Sequence, residues 1–172
     1  IAKKIETTEV FAKRIHIDIL DGKFADNKSF LDEFDKFGKY SENVELEAHL
    51  MVDEPIDYLE KLSNAGFRRF VGHVEKMSDQ TDFVVKGEEL GAVGLAIDLD
   101  TNIDQVKVSP EDLDVILLMS VKAGFSGQEF NDKVLEKIKK LRKKYLGVIE
   151  IDGGVNSETL IHLKEVGATT FC

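Results

Sequence analysis

The chain alternates short apolar segments of strand character with amphipathic segments of helix character along almost its whole length. The strand-like segments, such as 113–121, are near-continuous apolar runs, which is typical of parallel strands buried on both faces. The helix-like segments repeat apolar residues at intervals of three and four, as in 134–145. This alternation predicts βα units that build a parallel sheet.

Seven such repeats or partial repeats can be counted, a number that suits an eight-stranded barrel of roughly 200 or more residues better than an open sheet. We therefore predict an α/β fold, a (β/α)8 TIM barrel that lacks its first strand and the end of its last βα unit. One domain is expected over 1–172, truncated at both ends. Segment 10–20 is expected to run from the end of a helix into the first strand. The other predicted strands lie at 44–51, 67–71, 92–97, 113–121, 148–151 and from 168 onward. The predicted helical segments lie at 31–37, 56–62, 83–90, 103–108, 134–145 and 160–166.

Composition narrows the classes of function. The 23 basic and 33 acidic residues give a net charge of −10, which argues against nucleic acid and anionic membranes as partners. An acidic protein can still bind a small anion in a local loop. Cys172 is the only cysteine, so no intrachain disulfide can form and a cytoplasmic location is expected. No apolar run reaches the roughly 18 residues of a membrane span.

Three apolar segments end in ionisable residues followed by turn residues, and these carry most of the functional signal. They lie at 16–22, 48–52 and 149–154. Side chains two apart on a strand share a face, so His16 and Asp18 point the same way. In barrels of this type the site lies at the carboxyl ends of the strands.

Two histidines and two aspartates of these segments form a candidate metal site: His16, Asp18, His49 and Asp152. Imidazole and carboxylate together suit Zn, Fe(II), Mn or Co better than Mg or Ca. A hydrogen-bonded barrel mouth without metal is the alternative. Asp18 and Asp152 are also candidates for acid–base catalysis, although aspartates often cap turns instead. Asp21, directly before a glycine, fits that capping role better.

A glycine-rich segment, 124–128, follows a strand and is expected to open a helix, where backbone N–H groups bind phosphate. Gly153 and Gly154 could join it, although such turns also occur without phosphate. Met51 and Met119 are expected on the floor of the site, unless they are plain core residues. His73 is interpreted as a structural histidine and His162 as a surface residue.

These segments resemble the motifs of the ribulose-phosphate 3-epimerase family. The family's HxDxMDG motif matches 16–22, with Leu20 where methionine is usual. Its HLMV motif matches 49–52, and its VDGG motif matches 151–154. Its MSVxPGFGGQ loop matches 119–128, with Ala123 in place of proline and Ser126 in place of glycine. The motifs keep their order and spacing over nearly the whole chain.

The resemblance implies an isomerase that interconverts D-ribulose 5-phosphate and D-xylulose 5-phosphate by two-aspartate proton transfer through an enediolate. It implies one divalent ion on His16, Asp18, His49 and Asp152, with Asp18 and Asp152 catalytic. The implied substrate and phosphate contacts are Met51, Met119, Gly124, Phe125, Ser126, Gly127, Gly153 and Gly154. A sugar phosphate is the expected partner, and a homo-oligomer is expected.

Two alternatives stay open: a 3-epimerase for a hexulose 6-phosphate such as allulose 6-phosphate, and a non-catalytic sugar-phosphate-binding relative. A third, the orotidine-phosphate decarboxylase type, needs an Asp-x-Lys-x-x-Asp motif. The nearest candidate, Asp98-Leu99-Asp100, lacks that lysine, so this alternative is set aside.

Overall fold

Seven parallel strands pair in chain order in the computed structural model, which describes residues 2–8, 10–29, 31 and 33–172. The strands are β1 (Arg14–Leu20), β2 (Glu45–Met51), β3 (Phe67–His73), β4 (Ala92–Ile97), β5 (Val115–Met119), β6 (Val148–Asp152) and β7 (Thr170–Phe171). Sequential parallel order is the arrangement of a (β/α)8 barrel. The sheet is curled and supplies seven strands of such a barrel, so the predicted incomplete barrel is confirmed.

Helices connect the strands. The α-helices are α1 (Ala2–Thr8), α2 (Leu59–Asn64), α3 (Gln80–Glu88), α4 (Lys133–Arg142) and α5 (Ser157–Glu165). Short 3-10 helices lie at Phe34–Tyr40, Pro55–Tyr58, Val74–Lys76, Ile103–Gln105 and Pro110–Asp112. Side chains fix two of the helix starts: Asp79 caps α3, and Asn156 caps α5 in a reciprocal capping box. None of the helices in the described ranges is long and apolar enough to cross a membrane.

Two predicted elements differ from the structure. Within the predicted helix 31–37, Asp32 lies outside the described residues, and the observed helix begins at Phe34 and is of the 3-10 type. Phe34, Phe37 and Tyr40 are all buried, and their spacing of three matches the 3-10 repeat better than the α-helical one. The predicted strand 113–121 is also longer than β5, because its two ends form turns.

Side chains of each strand alternate between two environments. On β2, Leu46, Ala48 and Leu50 belong to the main hydrophobic core, together with residues of the surrounding helices. Met51 belongs instead to a second, smaller cluster with Met119 and residues of the other strands. This second cluster is the barrel interior. Positions of the same parity as Met51 therefore face inward, and they include most of the ionisable residues singled out above.

Gly94 marks the closest approach of β4 and β5, and we expect Gly94→Ala to destabilise the protein. A Cβ at this position would collide with the Cγ1 and the backbone oxygen of Val115, its partner in the neighbouring strand. We expect a loss of about 2 kcal/mol or more in the free energy of unfolding, because overpacking against backbone relaxes poorly.

The matched control is Gly38→Ala, where the new Cβ would lie an ordinary 3.7 Å from the carbonyl oxygen of Ala65. That variant should be within about 0.5 kcal/mol of wild type in urea denaturation. Equal stability of the two variants would contradict the close packing of β4 on β5.

Candidate active site

The two histidines and two aspartates of the sequence motifs come together at the carboxyl ends of three strands. His16 and Asp18 lie on β1, His49 lies on β2 directly beside Asp18, and Asp152 ends β6. Each offers one ligand atom, and all four atoms lie within 4.8 Å of one another. All four side chains occupy positions that face the barrel interior, so they meet there although β6 lies far from β1 and β2 in the sequence.

The spacing of these atoms suits a metal ion. His49 Nδ1 lies 2.9 Å from Asp18 Oδ1 and 3.4 Å from Asp152 Oδ2. His16 Nε2 lies 3.2 Å from His49 Nδ1, 3.3 Å from Asp18 Oδ1 and 3.9 Å from Asp152 Oδ2. Four ligands about 2.1 Å from a tetrahedral metal are about 3.4 Å apart. The donor set therefore fits a divalent cation of the zinc type.

A buried charge cluster lies beneath the site. Glu47 and Glu150 are buried in the barrel interior, and their Oε1 atoms lie 2.6 Å and 3.3 Å from His16 Nδ1. Arg69, from β3, is also buried; its Nε lies 2.8 Å from Glu47 Oε2 and its Nη2 lies 4.0 Å from Glu150 Oε2. The Arg69 contacts are ion pairs without hydrogen-bond alignment. His16 is thus turned so that Nε2 faces the metal position.

The electrostatics favour positive charge at the centre of the site. Burial opposes a charge on His16, but hydrogen bonds with Asp18 and the carboxylates below raise the pKa of His16 well above its usual value. Burial opposes ionisation of Asp18 as well, yet hydrogen bonds with His16 and His49 hold the pKa of Asp18 below its usual range. Without a metal, a protonated imidazole balances the carboxylates; a divalent cation would balance them directly.

The far side of His49 contacts another histidine. Its Nε2 lies 3.0 Å from His73 Nε2, and His73 Nδ1 lies 2.9 Å from Glu75 Oε2. His73 is fully buried and packs against the Phe24 ring, 4.6 Å between centroids. The interpretation of His73 as a hydrogen-bonded structural histidine agrees with this placement, but its contact with His49 was not foreseen.

A cavity of about 330 Å³ opens onto the two aspartates. Its walls include every residue predicted to contact the substrate: Met51, Met119, Gly124, Phe125, Ser126, Gly127, Gly153 and Gly154. Leu20, which stands where the motif has methionine, also lines it. The cavity therefore joins the candidate metal ligands to both glycine-rich turns, as a site for one small polar molecule requires.

The glycine-rich turns adopt backbone conformations that favour glycine. Gly124 and Gly153 have φ values of 106° and 105°, a region that other residues rarely enter. The expectation that segment 124–128 opens a helix is wrong, because α4 begins only at Lys133. Any anion here would bind to loop N–H groups and not to a helix terminus.

Two side chains that sequence reasoning missed hold this loop. Asn27 Nδ2 donates to the Gly124 carbonyl at 2.7 Å, and Gln128 Nε2 donates to the carbonyls of Lys122 and Phe125 at 2.7 and 2.8 Å. Asn27 lies in the segment after the first motif, and Gln128 ends the matched loop motif. The place of Gln128 in the loop motif is a sequence signal for its contact with the loop, whereas Asn27 lies outside the motifs and carries no such signal.

Asp21 has the capping role expected of it. Its Oδ1 accepts from the N–H groups of Lys23 and Phe24, and its Oδ2 accepts from the N–H group of Asp53 at 2.9 Å. Although partial burial opposes ionisation, these hydrogen bonds lower the pKa of Asp21. Asp21 thereby ties the turn after β1 to the turn after β2, next to the candidate ligands.

A second cavity, of about 660 Å³, lies along the edges of β1 and β7 and touches His16 and Glu150. Within the described residues, these two strands pair on one side only. Cys172 is exposed as a residue, but its Sγ lies 3.0 Å from Glu150 Oε1, and desolvation of the thiol beside this carboxylate raises its pKa to about 12. The thiol is therefore protonated near neutral pH.

Comparison with known proteins agrees with this geometry. The ribulose-phosphate 3-epimerase family model matches residues 1–172. Ribulose-phosphate 3-epimerase of Chlamydia muridarum is 34% identical over 97% of this chain and 76% of its own length. That of Bacillus subtilis is 34% identical over 90% of this chain and 74% of its own length. The cytoplasmic isoform of Oryza sativa subsp. japonica is 32% identical over 90% of this chain and 70% of its own length.

A solved structure supports the fold alone. Phosphoribosyl anthranilate isomerase from Thermus thermophilus has a TM-score of 0.65 to this chain at 13% identity, covering 99% of this chain and 79% of the other. At this identity the likeness concerns the arrangement of strands and helices. It agrees with the incomplete barrel described above.

Removal of the buried arginine should be costly, and we expect Arg69→Met to lower the free energy of unfolding by about 3–5 kcal/mol at neutral pH. The substitution removes the guanidinium that faces both buried carboxylates, those of Glu47 and Glu150. Removal of one carboxylate as well should recover part of the loss, so Arg69→Met/Glu47→Gln should be more stable than Arg69→Met.

The matched control is the exposed neighbour, Arg68→Met, which should cost less than about 1 kcal/mol. Urea denaturation of the metal-free protein at neutral pH measures the three variants. A double variant no more stable than Arg69→Met would mean that lost packing, and not the unpaired charge, causes the deficit.

Proposed function

The chain belongs to the ribulose-phosphate 3-epimerase family, and on that premise we propose that it interconverts D-ribulose 5-phosphate and D-xylulose 5-phosphate with the help of one divalent metal ion. The observation that carries the proposal is the meeting of Asp18 and Asp152 with two imidazoles at the wall of one cavity. Epimerisation beside a carbonyl needs an acid and a base on opposite faces of one carbon. Two carboxylates from non-adjacent strands can supply that pair.

His16, Asp18, His49 and Asp152 would hold the metal. The identity of the ion follows only as a class from the donor set: Zn, Fe(II), Mn or Co. A bound cation would stabilise negative charge that develops on the carbonyl oxygen of the sugar. Glu47, acting from below, keeps the imidazole of His16 turned toward this position.

The proton transfer is assigned to the two aspartates. Asp18, at the wall of the cavity, is the carboxylate that accepts the proton from carbon 3. This leaves an enediolate, and Asp152, in the role of the acid, returns a proton to the opposite face of the same carbon. The reverse reaction uses the same two groups with their roles exchanged. Between turnovers the acidic protons exchange with water.

The phosphate is assigned to the glycine-rich turns. Gly124, Phe125, Ser126 and Gly127 line one side of the cavity, and Gly153 and Gly154 line the other. Backbone N–H groups in such turns bind anions without a helix terminus. The space where a Gly127 Cβ would lie is open, so an anion can approach its backbone closely. Met51 and Met119 would contact the sugar.

The same proposal extends to the domain, the location and the oligomeric state of the protein. We assign residues 1–172 to one barrel domain and place the protein in the cytoplasm, in keeping with the rice relative, which is named a cytoplasmic isoform. The homo-oligomer expected from the resemblance stays a prediction.

We expect the protein purified without chelator to contain about one equivalent of a divalent metal, because the ligand set is complete within the described residues. Elemental analysis measures the content, and dialysis against chelator followed by reconstitution with Zn, Mn, Co or Fe(II) measures which ions restore activity. Failure of all four ions to bind would overturn the metal site.

We expect Asp18→Asn and Asp152→Asn each to lower epimerisation by about 10²–10⁴-fold, because removal of an acid or base costs that much and each residue is also a proposed ligand. In deuterated water the wild type should introduce deuterium at carbon 3 of the sugar phosphate. Mass spectrometry of product and recovered substrate measures the exchange.

Asp100→Asn is the matched control, since Asp100 is exposed and pairs only with Lys133 among the described contacts. It should be as active as wild type. A panel that includes allulose 6-phosphate separates the pentulose from the hexulose alternative. Turnover of ribulose 5-phosphate without deuterium exchange would exclude the two-aspartate mechanism, and binding without turnover of any sugar would favour the non-catalytic relative.

A further inference from the structure

We propose that His73 and Glu75 form a positioning relay that holds His49 with Nδ1 toward the metal position. The inference rests on the proposed metal site and concerns residues outside the four ligands. His73 ends β3, one strand beyond His49, and Glu75 follows it by two residues. Neither residue lines the cavity that faces the two aspartates.

The hydrogen-bond partners determine which nitrogen carries each proton. His49 Nδ1 faces the carboxylates, and it must carry a free lone pair to bind a metal. A neutral imidazole has one N–H, so the proton of His49 then lies on Nε2, 3.0 Å from His73 Nε2. His73 Nε2 must therefore accept, which puts the proton of His73 on Nδ1.

Glu75 completes this order. Its Oε2 lies 2.9 Å from His73 Nδ1 and accepts the proton that His73 presents there. Its Oε1 accepts from the backbone N–H of Asp98 at 2.7 Å, so the carboxylate is fixed at both oxygens. The chain His49–His73–Glu75 thus has an acceptor for every donor when Nδ1 of His49 binds a metal.

Because the two histidines are buried, each of their N–H groups needs a hydrogen-bond acceptor within the protein. His49 and His73 are both fully buried, and their rings lie edge to edge with centroids 5.0 Å apart and an interplanar angle of 28°, as a hydrogen bond between ring nitrogens requires. A buried N–H without an acceptor costs free energy, and the side chain of His73 is fully buried. Loss of the acceptor on His73 would therefore disfavour the orientation of His49 that exposes Nδ1 to the metal.

The test is zinc affinity, measured by competition with a chromophoric chelator. His73→Leu fills the same space without an acceptor and should weaken zinc binding by about 10–100-fold, the usual effect of losing an outer partner of a metal-binding histidine. His73→Gln, whose side-chain carbonyl can accept, should stay within about threefold of wild type. Glu75→Leu, which does not touch His49, should weaken binding by about tenfold.

If His73 and Glu75 acted only through packing, the losses of zinc affinity in the variants would follow a different pattern. The double variant His73→Leu/Glu75→Leu should bind zinc no more weakly than His73→Leu, because Glu75 acts only through His73. Additive losses, or unchanged affinity of Glu75→Leu, would overturn the relay. The matched controls are His162→Leu and Glu165→Leu at an exposed His–Glu pair with 3.8 Å between Nδ1 and Oε2; both should bind zinc like wild type.

Nitrogen-15 NMR of the histidine rings in the zinc-loaded protein gives a readout that does not depend on folding of the variants. The relay requires an Nδ1–H tautomer at His73 and an Nε2–H tautomer at His49; the opposite tautomer at His73 would overturn it. If wild type binds zinc and the His73 and Glu75 variants bind it equally well, only the relay fails. If wild type binds no zinc, the proposed metal site fails and the relay with it.

Discussion

The charged side chains in the interior of this barrel are buried away from water, so they must neutralise one another. Glu47, Glu150 and Arg69 are buried inside the sheet, and the imidazole of His16 joins them from above. Isolated charges at such depth would cost several kcal/mol each, so their mutual neutralisation is a condition for the fold. The candidate ligands lie directly on this cluster. The position of His16 therefore depends on ion pairs that lie outside the cavity facing the two aspartates.

A similar dependence holds on the other side of the site. His49 lies against His73, and His73 lies against Glu75, which in turn is fixed by the backbone of Asp98. The side-chain carboxylate of Asp98 accepts the N–H of Ala123 at 3.0 Å, at the root of the glycine-rich loop. Two layers of hydrogen bonds thus connect residues that would bind the metal with the loop that would bind the phosphate.

The sequence predicts the strands, the incomplete barrel and the four gathered ligands because these follow from local patterns. The two-residue repeat of a strand places His16 and Asp18 on the same face. The alternation of strand-like and helix-like segments places successive strands side by side in the sheet. The sequence could not predict that Arg69 lies against Glu47, or that His73 lies against His49, because these contacts depend on side chains from different strands. The first helical segment is a 3-10 helix, because Phe34, Phe37 and Tyr40 repeat at intervals of three and are all buried.

The four candidate ligands lie on strands that are far apart along the chain, so the ribosome synthesises them at different times. His16, Asp18 and His49 belong to the first two strands, whereas Asp152 ends the sixth. A chain leaving the ribosome would therefore present two histidines and one aspartate well before the fourth group exists. Arg69 is made soon after Glu47, but Glu150 arrives only with β6. The centre thus forms late, by closure of distant segments, which is the slow kind of contact in folding. Nearly the whole sheet must be in place before these four side chains can come together.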